Sequence, residues 1–542
     1  MKKSMRYRMT SLMLILAMLM GTMTGCGSKK QSAFNSGYKY DQELAVVEDN
    51  YRNYYEIFVR SFYDTDGDGI GDIKGVTEKL DYIADMGFNG IWLMPIMEST
   101  TYHKYDVVDY CSIDSEYGTM EDLDELIEEC HKRGIRLIID FVMNHSSSKH
   151  KWFQEACSYL AGLQENQEPD TKECPYVDYY YFDKEKKSST YYQVPGSEYY
   201  YEGSFWSEMP DLNYNSEALK GEFEDIISFW VEKGIDGFRM DATMHFEENN
   251  TAFNTSVMNW VYEYACTINP DFYMVSEVWS DHNTIANYYE SKTPSMFNFA
   301  ASGAEGVLEK VARGSKAPSA LINSMIEDQE TFGAHYDKYI DAPFLTNHDN
   351  IRVANNLNNN LTHLKMAAGL LMMMNGSPFV YYGEEIGMKS TGKKDEDKRM
   401  PMDWYEASKA DKKGMTNPPA GADLGETNSF ASVEEQEKDE SSLYNYYVRA
   451  LRLRNENPEI ARGKVALVEN WGGDKVAAMT KNYDGSTIAI LINTDEQEQE
   501  MDLASTELEK MSIRGYLTLD QEEITLEQGG IKLPAHSICI LK

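Results

Sequence analysis

Helical and strand-like hydrophobic patterns alternate through most of this chain. The clearest helix begins at Thr119 and Asp122, which form a capping-box pattern, and it ends at Gly134. Its apolar positions recur at the i, i+3, i+4, i+7 spacing of a single helical face: Leu123, Leu126, Ile127 and Cys130. An almost wholly apolar strand is predicted directly after it, over residues 135–141.

The same helix–glycine–strand unit recurs on either side. Thr77 is predicted to cap a helix that ends at Gly87, and a strand follows over 90–94. Another repeat ends its helix at Gly234 and leads into a strand over 235–240. Helices that alternate with apolar strands indicate a parallel sheet covered on both faces.

Two regions depart from this pattern. Residues 146–207 are rich in tyrosine and lack a helical period, so some of these rings are expected to bind ligand and most to be core. After Pro458 the chain turns to short alternating strands, typical of an antiparallel β-sandwich. The strands are predicted at 476–480, 487–493, 516–519 and 537–541. A chain of 542 residues should therefore divide into two or three domains.

The N-terminus has the pattern of an export signal. A basic start, an apolar run over 12–20 and small residues are typical of a signal peptide, and the run is too short to span a bilayer. Met23–Cys26 resembles a bacterial lipoprotein box, in which the cysteine is lipidated. We predict a signal peptide at 1–25, lipidation of Cys26, and a lipid-anchored linker over 26–49. The protein would then lie on the outer face of the cell membrane; plain secretion is the alternative.

The net charge limits the classes of binding partner, and the cysteine content limits the kinds of metal or disulfide site. The net charge of −38 repels nucleic acid and anionic lipid, whereas a neutral polymer meets no such repulsion. Membrane contact is therefore expected only through the lipid anchor. The six cysteines after Cys26 are dispersed, which indicates neither a zinc site nor a disulfide scaffold. Cys157 and Cys174 fall in one region, and the sequence leaves open whether they pair.

Polar residues close four of the apolar runs. They are found in the segments Asp140–His145, Arg239–His245 and Asn347–Asp349, and at Glu277. Polar side chains at the C-terminal ends of successive buried strands are how a (β/α)8 barrel builds its active site. Arg239 and Asp241 would share one strand face, where a guanidinium keeps a carboxylate ionised. A purely structural Arg–Asp pair is the alternative.

These four segments resemble, in order and spacing, the motifs of the α-amylase family of glycoside hydrolases, over roughly residues 50 to 540. The resemblance implies an α/β fold, a (β/α)8 TIM barrel over 50–457. It also implies a domain inserted after strand 3, over 146–207, and a C-terminal antiparallel β-sandwich over 458–542.

The resemblance assigns roles to three carboxylates. Asp241 would be the nucleophile, Glu277 the general acid and base, and Asp349 a group that binds sugar hydroxyls and favours the distorted ring. The chemistry needs one protonated carboxyl group beside an ionised one. We expect like-charge repulsion to raise the pKa of Glu277.

The resemblance also implies a set of substrate-binding residues. They are His103, Tyr105, Asp106, His145, Arg239, His245 and His348. Tyr105 would be a stacking platform, and the histidines would donate hydrogen bonds to the sugar. A satisfied structural histidine is the alternative reading for each of the three at strand ends.

An acidic loop, Asp64–Asp72, is a candidate calcium site. It imitates the first nine positions of an EF-hand loop, but Gly75 stands where the bidentate glutamate would be. The resemblance implies Ca²⁺ at this loop, with Asp64, Asp66, Asp68, the Ile70 carbonyl and Asp72 as ligands. A metal-free surface turn is the alternative. Asn144 matches a second calcium ligand of the family. The segment Gly392–Arg399, which is mixed in charge, is expected to be a solvated loop.

Three features bear on bond specificity. Ala242 after the nucleophile and the segment Met209–Asn213 favour α-1,4 over α-1,6 cleavage, by resemblance to family subgroups. Met244 replaces a lysine common in α-amylases. The prediction is a retaining α-amylase that cuts internal bonds of starch-like glucans. Alternatives are an oligo-1,6-glucosidase, a neopullulanase-like or glucosyl-transferring enzyme, or an inactive glucan-binding lipoprotein.

Overall fold

The structure is a computed structural model that describes residues 47–504, 506–527 and 529–542. The predicted signal peptide, Cys26 and the predicted linker up to residue 46 lie outside these ranges. Within them, no helix combines the length and the apolar character needed to cross a membrane.

A curled parallel sheet of seven strands forms the centre of the fold. In spatial order its strands are Ser295–Met296, Tyr273–Ser276, Gly237–Met240, Arg136–Phe141, Gly90–Leu93, Tyr54–Ile57 and Phe379–Tyr381. Isolated bridges join Phe344 to Phe379 and Ala342 to Phe297, so the segment between them contacts both edges of the sheet. This topology is consistent with a TIM barrel.

Large side chains fill the inner face of the sheet. The inner cluster contains Tyr54, Trp92, Ile138, Tyr273, Val275, Phe297, Ala342, Phe344 and Phe379. Tyr54 stacks on Phe379 and on Tyr273, with ring centroids 4.6 Å and 5.3 Å apart. A second, larger apolar cluster lies between the sheet and the helices. Burial on both faces explains why the strands are apolar almost throughout.

Helices follow most of the parallel strands along the chain. The α-helices of the described residues are Ile73–Glu78, Leu80–Met86, Met120–Lys132, Lys151–Gly162, Glu217–Lys233, Thr251–Ile268, His282–Tyr288, Val307–Ala312, Pro318–His335, Val353–Asn356, Leu361–Met372, Asp395–Lys398, Val433–Gln436, Leu443–Glu456 and Pro458–Arg462. Short 3₁₀ helices span Val59–Ser61, Pro175–Asp178, Tyr289–Ser291 and Glu384–Ile386.

Local capping partly follows the prediction. The capping box at Thr119 and Asp122 forms. The predicted cap at Thr77 is wrong, because Thr77 lies inside the helix Ile73–Glu78. Asp72 caps that helix instead, accepting a first-turn backbone N–H at 2.7 Å. The acidic loop and the first helix are therefore joined through one carboxylate.

The tyrosine-rich region contains a small antiparallel sheet, with Phe182–Asp183 and Tyr191–Gln193 on either side of Tyr200–Glu202. It also contains the helix Lys151–Gly162, which the absence of a helical period did not predict. Tyrosines 179, 180, 191, 199 and 201 are buried, so most of these rings are core. The thiols of Cys157 and Cys174 are free.

Antiparallel sheets form the C-terminal part of the chain. The larger sheet has the order Lys464–Leu467, Val476–Tyr483, Ser486–Asn493, Ser537–Leu541 and Ile513–Leu517. The smaller has the order Gln499–Asp502, Gly530–Leu533 and Thr525–Glu527, and a separate pair, Glu98–Ser99 with Val107–Asp109, lies earlier in the chain. The strand predicted at 516–519 begins earlier, at Ile513, and Pro458 opens a short helix.

Candidate active site

The predicted catalytic carboxylates gather at the C-terminal ends of the parallel strands. Asp241 follows the strand Gly237–Met240, and Glu277 follows Tyr273–Ser276. Asp349 lies a few residues beyond the bridging segment 342–344. All three carboxylates line one pocket of about 410 Å³. The strand-end argument therefore brings together residues more than 100 positions apart.

The guanidinium of Arg239 contacts three carboxyl groups of the site. Its Nη1 lies 2.6 Å from Oδ1 of Asp241, and its Nη2 lies 3.1 Å from Oε1 of Glu277. The same Nη1 lies 2.9 Å and 3.0 Å from the two oxygens of Asp140. Arg239 is only 1% exposed and does not line the pocket, and its contact with substrate stays a prediction. Its contacts position the carboxyl groups.

The surroundings of Glu277 favour its protonated form. Burial is the main cause that raises the pKa of this carboxyl group; Arg239 opposes it, and the charges of Asp241 and Asp349 add to it. Burial, rather than the expected charge repulsion, is therefore the larger effect. The Oε2 atom accepts the backbone N–H of Ala242 at 3.0 Å. Ala242 has a φ of 49°, so the chain turns sharply after Asp241.

Asp349 lies between two cationic groups. Its Oδ1 is 2.7 Å from Nη2 of Arg399, and its Oδ2 is 3.1 Å from Nε2 of His348. Burial acts to raise the pKa of Asp349, but the charges of His348 and Arg399 hold it well below its usual range. Burial acts to lower the pKa of His348, yet the carboxylates of Asp349 and Glu56 raise it to about 9. The two shifts favour an ionised Asp349 and a protonated His348.

His348 itself is set back from the pocket. It has no exposed surface and does not line the cavity, and its hydrogen bond to the sugar stays a prediction. Its Nδ1 lies 2.6 Å from Oε1 of Glu56, and its Nε2 lies 2.7 Å from the hydroxyl of Tyr105. The ring is held entirely by protein groups.

The other three predicted histidines line the pocket. Nδ1 of His103 accepts the backbone N–H of Tyr105 at 3.1 Å, which leaves Nε2 to carry the proton of a neutral ring. Burial lowers the pKa of His103 to about 4. Nε2 of His145 donates to the carbonyl of Tyr105 at 3.1 Å. His245 is part-exposed, with Nδ1 2.5 Å from Oε1 of Glu248.

Tyr105 and Asp106 have different surroundings although they are neighbours. Tyr105 lines the pocket, and its hydroxyl lies 3.0 Å from Oδ2 of Asp140. Asp106 is fully buried and does not line the pocket, and its contact with substrate stays a prediction. Its carboxylate accepts hydrogen bonds from the hydroxyl groups of Ser99, Thr100, Thr101 and Ser147. Asp106 therefore secures the loop that carries Tyr105.

Aromatic side chains at the pocket rim were missed by the sequence analysis. Phe205, Trp206 and Trp279 line the pocket and are 50%, 47% and 53% exposed. Trp279 stacks on Phe299 with centroids 5.1 Å apart and planes 12° apart, which fixes its orientation. Its position two residues after Glu277 was the available signal, because i and i+2 share a strand face. Exposed aromatic rings collected at one pocket indicate a ligand surface.

Arg399 was also missed, because the mixed charges of Gly392–Arg399 predicted a solvated loop. The structure corrects this expectation. Arg399 is 3% exposed and lines the pocket. Besides Asp349 it reaches the carbonyl of His348 through Nε at 3.2 Å and the hydroxyl of Tyr102 through Nη1 at 3.2 Å. Arg399 and Asp397 of this segment are buried, whereas Lys393, Lys394 and Asp395 are exposed.

The acidic loop has a group that can hold a metal ion. Side-chain oxygens of Asp64, Asp66 and Asp72 lie within 4.8 Å of one another. Asp68 is not part of this group, and its Oδ1 accepts the backbone N–H of Ile70 at 2.7 Å. Three convergent carboxylates are hard oxygen ligands of the kind that Ca²⁺ prefers. The main-chain ligand at Ile70 stays a prediction.

The fold and this pocket together define a class of protein. A buried carboxyl group with a raised pKa, a second carboxylate and a shared arginine lie at the strand ends of a barrel-like parallel sheet, beneath exposed aromatic rings. That is the arrangement of a glycoside hydrolase. The chain belongs to the α-amylase family, since a model of the alpha amylase catalytic domain matches residues 56–463.

Known proteins agree with this assignment. Alpha-amylase 3 of Dictyoglomus thermophilum is 38% identical over 425 residues, which cover 77% of this chain and 80% of that protein. An oligo-1,6-glucosidase of Bacillus cereus is 28% identical over 522 residues, covering 82% of this chain and 90% of that protein. The solved structure of Eubacterium rectale Amy13B aligns with a TM-score of 0.88 and 42% identity, covering 92% of this chain and 97% of that one. The protein is a glycoside hydrolase, and its bond specificity has to be argued from the site.

Proposed function

We propose that this protein is a retaining α-amylase, which hydrolyses internal α-1,4-glucosidic bonds of starch-like glucans and maltooligosaccharides. The observation that carries the proposal is the guanidinium of Arg239, 2.6 Å from Asp241 and 3.1 Å from Glu277. Two carboxyl groups that share one guanidinium are close neighbours. Retaining enzymes need a separation of about 5–5.5 Å, whereas inverting enzymes leave room for a water molecule between the groups.

In the first step, a carboxylate oxygen of Asp241 attacks the anomeric carbon while the proton of Glu277 passes to the leaving oxygen. The glycosidic C–O bond breaks and a covalent glycosyl-enzyme forms. In the second step, Glu277 takes a proton from water, and the water oxygen displaces Asp241 from the anomeric carbon. Asp349, which is ionised, binds sugar hydroxyls and favours the oxocarbenium-like ring. Arg239 stays charged throughout and faces both reacting carboxyl groups.

Neutral and aromatic groups would bind the sugar. Nε2–H of His103 and the ring of His245 are available as hydrogen-bonding groups at the pocket, and Tyr105 offers an aromatic face beside them. Trp206 and Trp279 are about half exposed at the rim, where rings can stack on further glucose units. Such a rim supports binding of a glucan along its length.

The linkage is proposed from pocket residues that differ among relatives. Ala242 and the segment beginning at Met209 favour α-1,4 bonds by resemblance, and both residues line the pocket. Met244 also lines it, where many α-amylases have lysine, and this observation keeps oligo-1,6-glucosidase, neopullulanase-like and transferring activities as second candidates. An inactive glucan-binding lipoprotein is disfavoured because Asp241, Glu277, Asp349 and Arg239 are all present.

A product time course on soluble starch tests the proposal. We expect a spread of maltooligosaccharides early in the digest and a fast fall in iodine staining, because internal cuts shorten chains quickly. Glucose as the sole early product, or cleavage of isomaltose in preference to maltotetraose, would support the oligo-1,6-glucosidase alternative. Products longer than the substrate would indicate transfer.

We further propose that Ca²⁺ is held at the acidic loop, by Asp64, Asp66 and Asp72. The side-chain oxygens of these carboxylates converge, whereas Asp68 lies outside the converging group. Calcium there would tie the loop to the helix that Asp72 caps, which is a contribution to stability. A second calcium position is supported by Asn144, whose Oδ1 is buried without a hydrogen-bond partner within the described chain.

The remaining proposals concern organisation and location. We propose a complete eight-stranded barrel over 50–457, an inserted domain over 146–207 and a C-terminal β-sandwich over 458–542. We also propose export, lipidation at Cys26 and attachment to the outer face of the membrane, with secretion as the alternative. Fatty-acid labelling of the wild-type protein and the Cys26→Ala variant tests the anchor. Equal labelling of both proteins would reject it.

A further inference from the structure

We propose that Glu56 is a positioning residue for catalysis, which holds the His348 ring as a cation against Asp349. Glu56 was not singled out by any motif, and it has no part in the mechanism above. It lies in the strand Tyr54–Ile57 and is 1% exposed. The inference rests on the proposed role of Asp349 in binding the sugar.

The geometry favours two N–H groups on one imidazole. Nδ1 of His348 is 2.6 Å from Oε1 of Glu56, and Nε2 lies 2.7 Å from the Tyr105 hydroxyl and 3.1 Å from Oδ2 of Asp349. The Tyr105 O–H donates to Asp140, so its oxygen is left to accept from an Nε2–H. A neutral ring carries only one N–H and can donate on one side alone, whereas a protonated ring donates on both sides and places its charge beside Asp349. The backbone N–H of His348 also approaches Oε1 of Glu56, at 3.4 Å, which fixes the residue further.

The other groups around His348 agree with a cation. The Tyr105 hydroxyl lies 2.7 Å from Nε2 and also contacts Asp140, and Arg399 donates to the His348 carbonyl. The charged and titratable groups that face this region are Glu56, Asp140, Asp241, Glu277, Asp349, Arg239 and Arg399. Carboxyl groups outnumber the two arginines, so a protonated His348 improves the balance of buried charge. The raised pKa of His348, about 9, agrees with this geometry.

The consequence concerns Asp349. A cation bonded to Oδ2 at 3.1 Å, together with Arg399 at Oδ1, keeps the carboxylate ionised and fixes its orientation toward the pocket. If His348 lost its Nε2 proton, its contact with Asp349 would change from an attraction to a repulsion between lone pairs. The charge of Glu56 therefore determines the pH at which kcat/KM falls on the alkaline side.

The test compares Glu56→Gln with its parent in a Glu277→Gln background, using maltotriosyl fluoride. Fluoride leaves without protonation, so kcat/KM for fluoride release no longer reports the general acid. We expect the alkaline limb of kcat/KM to move to lower pH by about 1–3 units when Glu56 loses its charge. Glu385→Gln is the matched control: Glu385 is also fully buried, and it accepts hydrogen bonds from Tyr55 and Tyr82, away from the pocket. Its alkaline limb should not move.

Superimposable alkaline limbs for Glu56→Gln and its parent would overturn the inference. Should thermal unfolding show that Glu56→Gln does not fold, nitrogen NMR of histidine-labelled wild type decides instead, with His348 assigned from the His348→Asn spectrum. Two protonated nitrogens near neutral pH support the inference, and one overturns it. A separate measurement tests the proposed function. Unchanged starch turnover by Asp349→Asn would reject that function, whereas an unshifted pH profile of Glu56→Gln rejects only the role of Glu56.

Discussion

Replacing the Glu277 carboxyl group by an amide tests the acid–base assignment with the smallest change of shape. Both oxygens of Glu277 face donors: Oε2 the backbone N–H of Ala242 at 3.0 Å, and Oε1 the Nη2 of Arg239 at 3.1 Å. Glutamine has a single acceptor oxygen, so its NH₂ group must face one of these donors. The Glu277→Gln side chain therefore loses the transferable proton and one hydrogen bond.

The two losses have separable magnitudes. General acid–base catalysis is worth about 10²–10⁴ in rate, or roughly 3–5 kcal/mol in activation free energy, and we expect a loss of this size in kcat on starch. Loss of either contact, the hydrogen bond from Ala242 or the ion pair with Arg239, should lower the free energy of unfolding by about 1–3 kcal/mol. Thermal unfolding measures the second effect and sets an assay temperature at which the variant is still folded.

The assay compares maltoheptaose with maltotriosyl fluoride. Fluoride release in the first step should be affected much less than cleavage of maltoheptaose, because fluoride needs no proton to leave. Added azide should restore turnover of Glu277→Gln and give an α-glycosyl azide, since azide attacks the glycosyl-enzyme from the face that the leaving group vacated. With Asp241→Gly, azide should give the β-anomer from the fluoride. Near-wild-type cleavage of starch by Glu277→Gln, or a β-azide from it, would refute the assignment.

Four further predictions follow from the same contacts. Asp241→Asn should lower kcat at least as much as Glu277→Gln, because it removes the attacking atom, and a smaller loss in steady-state assays would argue against a covalent step. EDTA should lower the melting temperature and added calcium restore it. Asp66→Ala should remove the part of that response that comes from the acidic loop, while Asp68→Ala, outside the converging group, keeps most of it; equal responses would contradict the ligand set. Trp279→Ala should raise KM for maltoheptaose more than for maltotriose, because only the longer chain reaches the rim, and equal increases in kinetic assays would remove it from substrate binding. Burial raises the pKa of Glu384 from 4.5 to about 8. The stabilisation that comes from protonated Glu384 is therefore complete below about pH 4.5 and is lost as pH rises through about 8. Glu384→Gln should show a smaller fall in melting temperature over this pH range than the wild type, and an identical fall would contradict the shift.

Local patterns predicted the scaffold of this site. Helix and strand periods depend on neighbouring residues, so the strands following Gly134 and Gly234 are found within two residues of their predicted starts. The positions of Asp241 and Glu277 followed because parallel strands bring their C-terminal ends to one edge. The structure agrees with the sequence where the determining interactions are short in range.

Residue identity did not predict exposure. Asp106 and His348 match family motifs, but both are fully buried. Contacts distant in the chain decide this: His348 meets Glu56 across 292 positions, and Arg399 meets Asp349 across 50. No periodic pattern carries such information. For the same reason the sequence analysis did not identify Arg399, which lies in a segment of mixed charge.

The buried cations of this site explain how a neutral sugar can be activated. Arg239, His348 and Arg399 are 1%, 0% and 3% exposed, so the positive groups lie mainly behind the carboxylates. The carboxylates compensate the cost of burying them, and the cations in turn fix the carboxylate positions. The pocket wall then presents carboxyl oxygens, neutral His103 and aromatic faces to the substrate. A glucan in its ground state carries no charge to be attracted. The positive charge that develops at the anomeric carbon meets carboxylates that are already oriented, so the electrostatic stabilisation acts mainly on the transition state.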